Sequence, residues 1–124
     1  MKKLFSITRL IKSFGYSFKG LLHVIATETN AQIHLLALLV TTFTGFYFDI
    51  SHTEWLIQTL IISAVISAEF FNTAIEKIID LLHPEENPKA GLIKDVASAA
   101  VLVLAIGALV IAYMIYWDKI KLLM

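Results

Sequence analysis

Polar and apolar positions in the first part of the chain alternate with a helical period. Over residues 4–28 they fall on opposite faces of one helix, because each type recurs every three or four residues. The polar face is formed by Arg9, Lys12, Tyr16, Lys19, His23 and Thr27. A basic polar face opposite an aromatic-rich apolar face predicts a helix that lies in a membrane surface. Such a helix either serves only as an anchor on anionic lipid or also binds a phosphorylated ligand through Arg9, Lys12 and Lys19, with Tyr16 as an aromatic face.

Three later stretches, residues 31–48, 55–82 and 94–117, are predominantly apolar and predict membrane-spanning helices. Aromatic residues at the end of the first stretch and Trp55 at the start of the second mark one membrane interface. Residues 83–91 contain two prolines and a glycine and are predicted to form a loop. Without repeats or a long linker, we expect an all-α membrane protein of one domain, residues 1–124, with a surface helix and three spans.

Composition supports a membrane protein, since 58% of the 124 residues are hydrophobic, 16% are charged and the mean hydropathy is +0.78. A net charge of zero argues against nucleic-acid binding, and the lack of cysteine excludes thiol chemistry and disulfides. The basic start, including Lys2 and Lys3, predicts a cytoplasmic N-terminus and a cytoplasmic 83–91 loop. Lys119 and Lys121 then lie on the outer side of the membrane. They count against this orientation, because lysines favour the cytoplasmic side. No long apolar run follows the first lysines at once, so a cleaved signal peptide is not expected.

One polar stripe interrupts the second span and is the strongest candidate for chemistry. At about 100° per residue its members lie within roughly 100° of one another on a helix; they are Glu69, Asn72, Thr73, Glu76 and Asp80. An ionisable side chain at membrane depth costs about 2.5–3.5 kcal/mol on insertion scales, so such residues are generally functional. The stripe can also join packed helices. Two stacked carboxylates need a cation or a shared proton between them, which points to a divalent metal or a proton relay.

The predicted topology gathers Glu28, Glu69, Glu76, Lys94 and Asp95 at or near the cytoplasmic interface. Carboxylates hold Mg²⁺ when phosphates supply further ligands, and a lysine neutralises transferring phosphate oxygens. A deeper carboxylate, Glu69, is placed to take a proton from a lipid hydroxyl. The chain has no Walker-type or Gly-rich phosphate loop. A kinase built on this pattern would therefore use none of the soluble phosphate-binding loops.

Two other functions remain open from the residues. A small proton or cation conductor would use Glu69, Glu76 and Asp80 as an intramembrane relay. The outer half of each span carries no charge, whereas a conducting path needs polar groups through the full depth. A non-catalytic membrane subunit would leave the metal-like spacing unexplained.

Two motifs on either side of the loop carry a family resemblance. They read Glu69-x-x-Asn72-x-Ala74-Ile75-Glu76-x-x-x-Asp80 and Ala90-Gly91-x-x-Lys94-Asp95-x-x-Ser98-Ala99-Ala100-Val101. With them the chain resembles the prokaryotic diacylglycerol kinase / undecaprenol kinase family over nearly its whole length. The amphipathic start also matches at Arg9, Gly15-Tyr16-Ser17, Lys19-Gly20-Leu21 and Glu28.

The resemblance implies a homotrimeric helical bundle in the bacterial cytoplasmic (inner) membrane, with active sites shared between neighbouring subunits. It implies ATP as phosphoryl donor, Mg²⁺ as cofactor and a membrane lipid as substrate. The residue matching Glu69 is the catalytic base, and those matching Glu28 and Glu76 bind the metal that carries ATP.

The resemblance also assigns the remaining site residues. Asn72, Lys94 and Asp95 match residues that complete the nucleotide and catalytic site. Arg9, Tyr16 and Glu85 match contacts to ATP, and Ser98 matches a position beside the lipid.

The lipid itself is left open between diacylglycerol and undecaprenol. Gln32-Ile33-His34-Leu35 resembles the undecaprenol kinase branch, whereas Arg9 to Leu21 is closer to the diacylglycerol kinase branch. His34, near the start of the first span, is expected at the membrane interface. The loop residues Pro84 to Lys89 depart from better-known members of the family.

Overall fold

The structure, a computed structural model, describes residues 4–124, and every regular element in that range is a helix. The helices are α1 (Ile7–Thr27), α2 (Thr29–Tyr47), α3 (His52–Leu82) and α4 (Pro88–Lys121). The expectation of an all-helical chain with four helices is confirmed. Lys2 and Lys3, which the predicted topology used, lie outside the described residues.

The second predicted span begins earlier than its apolar stretch indicates. Ser51 caps α3, because its side chain accepts a hydrogen bond from the backbone N–H of Glu54 while the Glu54 carboxylate accepts one from the backbone N–H of Ser51. This capping box satisfies backbone donors that a helix start leaves free. The helix therefore begins at His52 rather than at Trp55. Asp49, in the tight turn before it, has a φ of 50°, a left-handed value that aspartate tolerates better than most residues.

The predicted loop 83–91 is shorter than the sequence indicated, and this part of the prediction is wrong. α4 begins at Pro88, six residues before the predicted start of the span at residue 94. The side chain of Asn87 accepts hydrogen bonds from the backbone N–H groups of Lys89 and Ala90 at 2.9 and 3.3 Å. A proline in the first helical position is favourable, because its missing N–H would be unpaired there anyway. Gly91 and Lys94 consequently lie on a rigid helix.

Two helices, α3 and α4, are each long and apolar enough to cross a membrane. α1 and α2 meet that criterion only when taken together, and their axes bend by 99° at the break. Glu28, the single residue between them, has extended backbone angles, which separates the two helices. α1 is the strongly amphipathic member of the pair, with nearly all of its side chains exposed. Its orientation relative to α2 fits a helix lying on a surface.

Packing is organised along α3, which contacts both α2 and α4, whereas α1 contacts α2. At the end formed by residues 48–51 and the last turns of α4, here called the distal end, Ile50 packs with Ile115 and Tyr116. The Tyr116 hydroxyl donates to Gln58 Oε1 at 2.5 Å, and Gln58 Nε2 donates to the carbonyl of Thr41 at 3.1 Å. These bonds join α2, α3 and α4 where water is scarce, so they hold the distal end together.

Gly45→Ala should destabilise the protein by about 1–3 kcal/mol through overpacking. A Cβ at Gly45 would lie 2.6 Å from Cη2 of Trp55, whose ring also packs against Phe46 with centroids 4.9 Å apart. The midpoint of SDS-induced unfolding of the detergent-solubilised protein measures the effect. Gly107→Ala is the matched control, because a Cβ there meets Ile61 at 4.0 Å. Equal midpoints for the two variants would contradict the packing argument.

Candidate functional site

The polar stripe of α3 is mostly buried, although its side chains are hydrophilic. Glu69 is 3% exposed, Asn72 4% and Thr73 3%. The side-chain amide of Asn72 donates to Glu76 Oε1 at 3.4 Å, which holds the carboxylate of Glu76 one turn further along α3. Helical periodicity explains why these residues share a face, and burial of that face against α2 and α4 explains their low exposure. A buried carboxylate among apolar helices is the kind of group that carries function.

Glu28 and Glu76 both lie within electrostatic range of Glu69. Glu28 reaches this position because the chain bends at the α1–α2 junction, and Lys77 Nζ lies 3.8 Å from its Oε1. Glu76 is seven residues after Glu69 on α3, which is about 10 Å along the helix. The site therefore has two levels, with Glu69 deep between the helices and Glu28 and Glu76 nearer their ends.

The two carboxylates nearer the helix ends, Glu28 and Glu76 (here called the upper level), are donors of the type that magnesium takes when phosphates supply its other ligands. Within residues 4–124 no group of three or more acidic, histidine or cysteine side chains is arranged to hold a metal. Magnesium is commonly held by one or two carboxylates with the remaining ligands from phosphate and water, so two carboxylates are sufficient. Asn72 Oδ1 is buried without a hydrogen-bond partner, which leaves one more oxygen ligand or acceptor beside Glu76. Thr73 Oγ1 is also buried and unpaired, and no role follows from its position.

A second group of predicted residues lines a cleft at the turn between α3 and α4. The cleft has a volume of about 560 Å³, and its lining includes Asp80, Glu85 and Lys94. Lys94 forms an ion pair with Asp80 across this turn. Asp80, which the sequence places on the same stripe as Glu69, is exposed and faces α4 instead. Residues of the polar stripe therefore lie in two places. Glu69, Asn72 and Thr73 are buried, whereas Asp80 lines the cleft.

Four predicted site residues stay apart from the carboxylates in the single chain. Tyr16 is 68% exposed, and Arg9, Asp95 and Ser98 are exposed as well. Among residues 4–124 no side-chain hydrogen bond or ion pair joins any of them to Glu28, Glu69 or Glu76. Arg9 and Tyr16 lie on α1, whereas Asp95 and Ser98 lie on α4.

His34 lies half-buried beside the carboxylate of Glu69, a contact that the sequence did not predict. Its Nε2 lies 3.8 Å from Oε2 of Glu69, and the two side chains are 19% and 5% exposed. The sequence contained a signal, because Ala31, His34, Leu35 and Leu38 recur at the spacing of one helix face. Ala31 is buried and the other three are half-buried, so this is the inward face of α2.

Together these features define an all-helical membrane protein with a buried carboxylate cluster below an electrostatically mixed cleft. A family model described as prokaryotic diacylglycerol kinase matches residues 15–116. The chain is 35% identical over 114 residues to an undecaprenol kinase of Bacillus subtilis, covering 92% of this chain and 93% of the relative. It is 30% identical over 111 residues to a diacylglycerol kinase of Escherichia coli, covering 90% and 91%.

The chain therefore belongs to the prokaryotic diacylglycerol kinase family. It is a lipid kinase of the diacylglycerol or undecaprenol kinase type, as the motifs around Glu69 and Lys94 indicated. The family favours this activity over the alternative of a small ion conductor.

Proposed function

We propose that the protein transfers the γ-phosphoryl group of ATP to the hydroxyl of a membrane lipid, with Mg²⁺, at the cytoplasmic face of the bacterial inner membrane. The products are phosphatidic acid from diacylglycerol or undecaprenyl phosphate from undecaprenol. The observation that carries the proposal is the two-level carboxylate cluster, with Glu69 buried below Glu28 and Glu76. A lipid hydroxyl approaches from the membrane, whereas a nucleotide approaches from water, so two levels suit two such substrates.

Glu69 is the catalytic base in this proposal. Its carboxylate accepts the proton of the lipid hydroxyl as the oxygen attacks the γ-phosphorus, and ADP leaves with the electrons of the broken P–O bond. Burial of Glu69, at 3% exposure, excludes water that would compete with the lipid as acceptor. Asn72 completes this part of the site by holding the neighbouring Glu76 in place.

Glu28 and Glu76 would hold the Mg²⁺ that accompanies ATP. Magnesium would neutralise charge on the phosphates and fix their position. Lys77, whose Nζ lies 3.8 Å from Glu28 Oε1, would help to orient that carboxylate. Asn72 Oδ1, which has no partner, is available to the metal or the nucleotide.

Lys94, with Asp95 and Glu85, would bind the rest of the nucleotide. Lys94 sits in the cleft at the α3–α4 turn and is paired with Asp80. A triphosphate carries more negative charge than one carboxylate, so it competes effectively for this ammonium group. Glu85 lines the same cleft and would contact ATP there.

A homotrimer with shared active sites would bring in the remaining residues. Arg9, Tyr16, Asp95 and Ser98 are exposed in the single chain, which leaves them available to a neighbouring subunit. Arg9 and Tyr16 would contact ATP, and Ser98 would lie beside the lipid. Closed cyclic symmetry is the usual form for such an assembly, and the number three comes from the family resemblance.

Phosphate transfer from labelled ATP in mixed micelles tests the proposal. Dioleoylglycerol and undecaprenol are offered side by side to the full-length protein, with and without Mg²⁺. We expect metal-dependent labelling of at least one lipid. If neither lipid is labelled by oligomeric, detergent-stable protein, the proposed reaction is wrong.

A further inference from the structure

The imidazole of His34 and the carboxylate of Glu69 are spaced to share one small polar group. Nε2 and Oε2 are 3.8 Å apart, which is too long for a direct hydrogen bond. An oxygen placed about 2.8 Å from each atom, a normal hydrogen-bond distance, fits between them. A hydroxyl in that position donates its proton to Glu69 and accepts a hydrogen bond from Nε2–H of His34.

Two apolar grooves meet at His34. The first has a volume of about 260 Å³ between α1, α2 and α3, and its lining includes Leu38 and Phe70 together with Glu69. The second has a volume of about 230 Å³ between α2, α3 and α4, and its lining includes Val65 and Ala105. His34 and Glu69 are the polar members of the first lining, and His34 is the polar member of the second. A chain in either groove therefore meets hydrocarbon everywhere except beside these two residues.

This lining discriminates between kinds of lipid alcohol. The hydroxyl of a diacylglycerol is a few bonds from two ester groups, whose carbonyl oxygens need donors when they leave water. Each buried acceptor without a donor weakens binding substantially. An alcohol carried directly on a long hydrocarbon chain has one polar group, and the pair His34 and Glu69 satisfies it.

We propose that His34 binds the lipid hydroxyl together with Glu69, and that the apolar grooves around it select an alcohol without polar groups beside the hydroxyl, such as a polyprenol. The inference rests on the proposed kinase function and specifies its substrate class. His34 contributes the hydrogen-bond donor, and Glu69 accepts the proton.

The test compares kcat and KM for undecaprenol and dioleoylglycerol in mixed micelles, using the full-length chain with ATP and Mg²⁺. The wild-type protein should prefer undecaprenol in kcat/KM by about tenfold or more, the factor that one unpaired buried acceptor produces. His34→Leu should lower kcat/KM for the lipid by on the order of 10- to 100-fold, with the KM for ATP unchanged. His34→Gln places an amide nitrogen near the position of Nε2 and should recover most of the activity. His52→Leu, at an exposed position on the first turn of α3, is the matched control and should keep wild-type kinetics.

The possible results distinguish failure of the kinase activity from failure of the proposed lipid selection. Labelling of neither lipid by the wild-type protein overturns the kinase proposal itself. Labelling with a preference for dioleoylglycerol keeps the kinase and overturns the selection by the grooves. If His34→Leu retains wild-type kinetics, or if His34→Gln is as impaired as His34→Leu, His34 does not bind the hydroxyl.

Discussion

Glu69→Gln should lower the turnover of lipid phosphorylation by about 10²–10⁴-fold, the range that a lost general base produces. Glutamine has nearly the same size and can still hydrogen-bond to a hydroxyl, but it cannot accept the proton. Since Glu69 is 3% exposed, water does not easily replace it as a base. The nucleotide site, one level above, keeps its carboxylates in this variant, so ATP binding should stay close to wild type.

Two measurements on the same purified protein check this expectation. The kcat for labelled lipid gives the chemical step, and equilibrium binding of a fluorescent ATP analogue with Mg²⁺ gives the nucleotide affinity. Loss of nucleotide binding in parallel with kcat would contradict the base role and indicate a ligand role for Glu69. Asp118→Asn, which removes one carboxylate with 86% of its side chain exposed at the distal end, controls for the change in net charge.

Helix positions and shared faces were predictable because they depend on local geometry. Successive residues turn by about 100°, so Glu69, Asn72 and Glu76 must lie on one side of α3 wherever that helix packs. The same rule placed Asp80 on this side, yet Asp80 pairs with Lys94. Helical periodicity within α3 does not show that α4 places Lys94 beside Asp80, because this ion pair depends on how the two helices meet at the turn.

The start of α4 is predictable from two residues. Proline is excluded from helix interiors but favoured in the first turn, so Pro88 is compatible with a helix that begins there. Asn87, immediately before it, is a preferred capping residue. Asparagine followed by proline predicts a helix start at this position, and the structure has its N-cap at Asn87.

The contact between His34 and Glu69 could not be predicted from the sequence. One histidine near the start of an apolar helix fits an interfacial position as well as a buried one. Its contact with Glu69 follows from the packing of α2 on α3, which the sequence pattern alone does not specify. In the proposed trimer, Arg9, Tyr16, Asp95 and Ser98 would reach the site through a neighbouring chain, and a pattern within one chain does not specify such a contact.

Glu76→Gln should raise the Mg²⁺ concentration needed for half-maximal activity by on the order of 10- to 100-fold, since even residues that only support a metal ligand produce changes of this size. In the wild-type protein, Asn72 donates a hydrogen bond to Glu76 Oε1 at 3.4 Å. The side-chain oxygen of the introduced glutamine can accept the same hydrogen bond, so the fold should be retained. The measurement is the rate of lipid phosphorylation as a function of free Mg²⁺ at saturating lipid.

The partner variant Glu28→Gln distinguishes a shared ion from two separate effects. If Glu28 and Glu76 hold one Mg²⁺, each single variant loses much of the site, and the double variant should lose less than the sum of the two in free energy. Glu28→Gln also removes the partner of Lys77, and Lys77→Met measured beside it separates that ion pair from the metal. An unchanged Mg²⁺ dependence in Glu76→Gln, or strict additivity of Glu28→Gln and Glu76→Gln, would contradict a common ion. A shared ion would link the α1–α2 junction to α3, because Glu28 and Glu76 belong to these two parts of the chain.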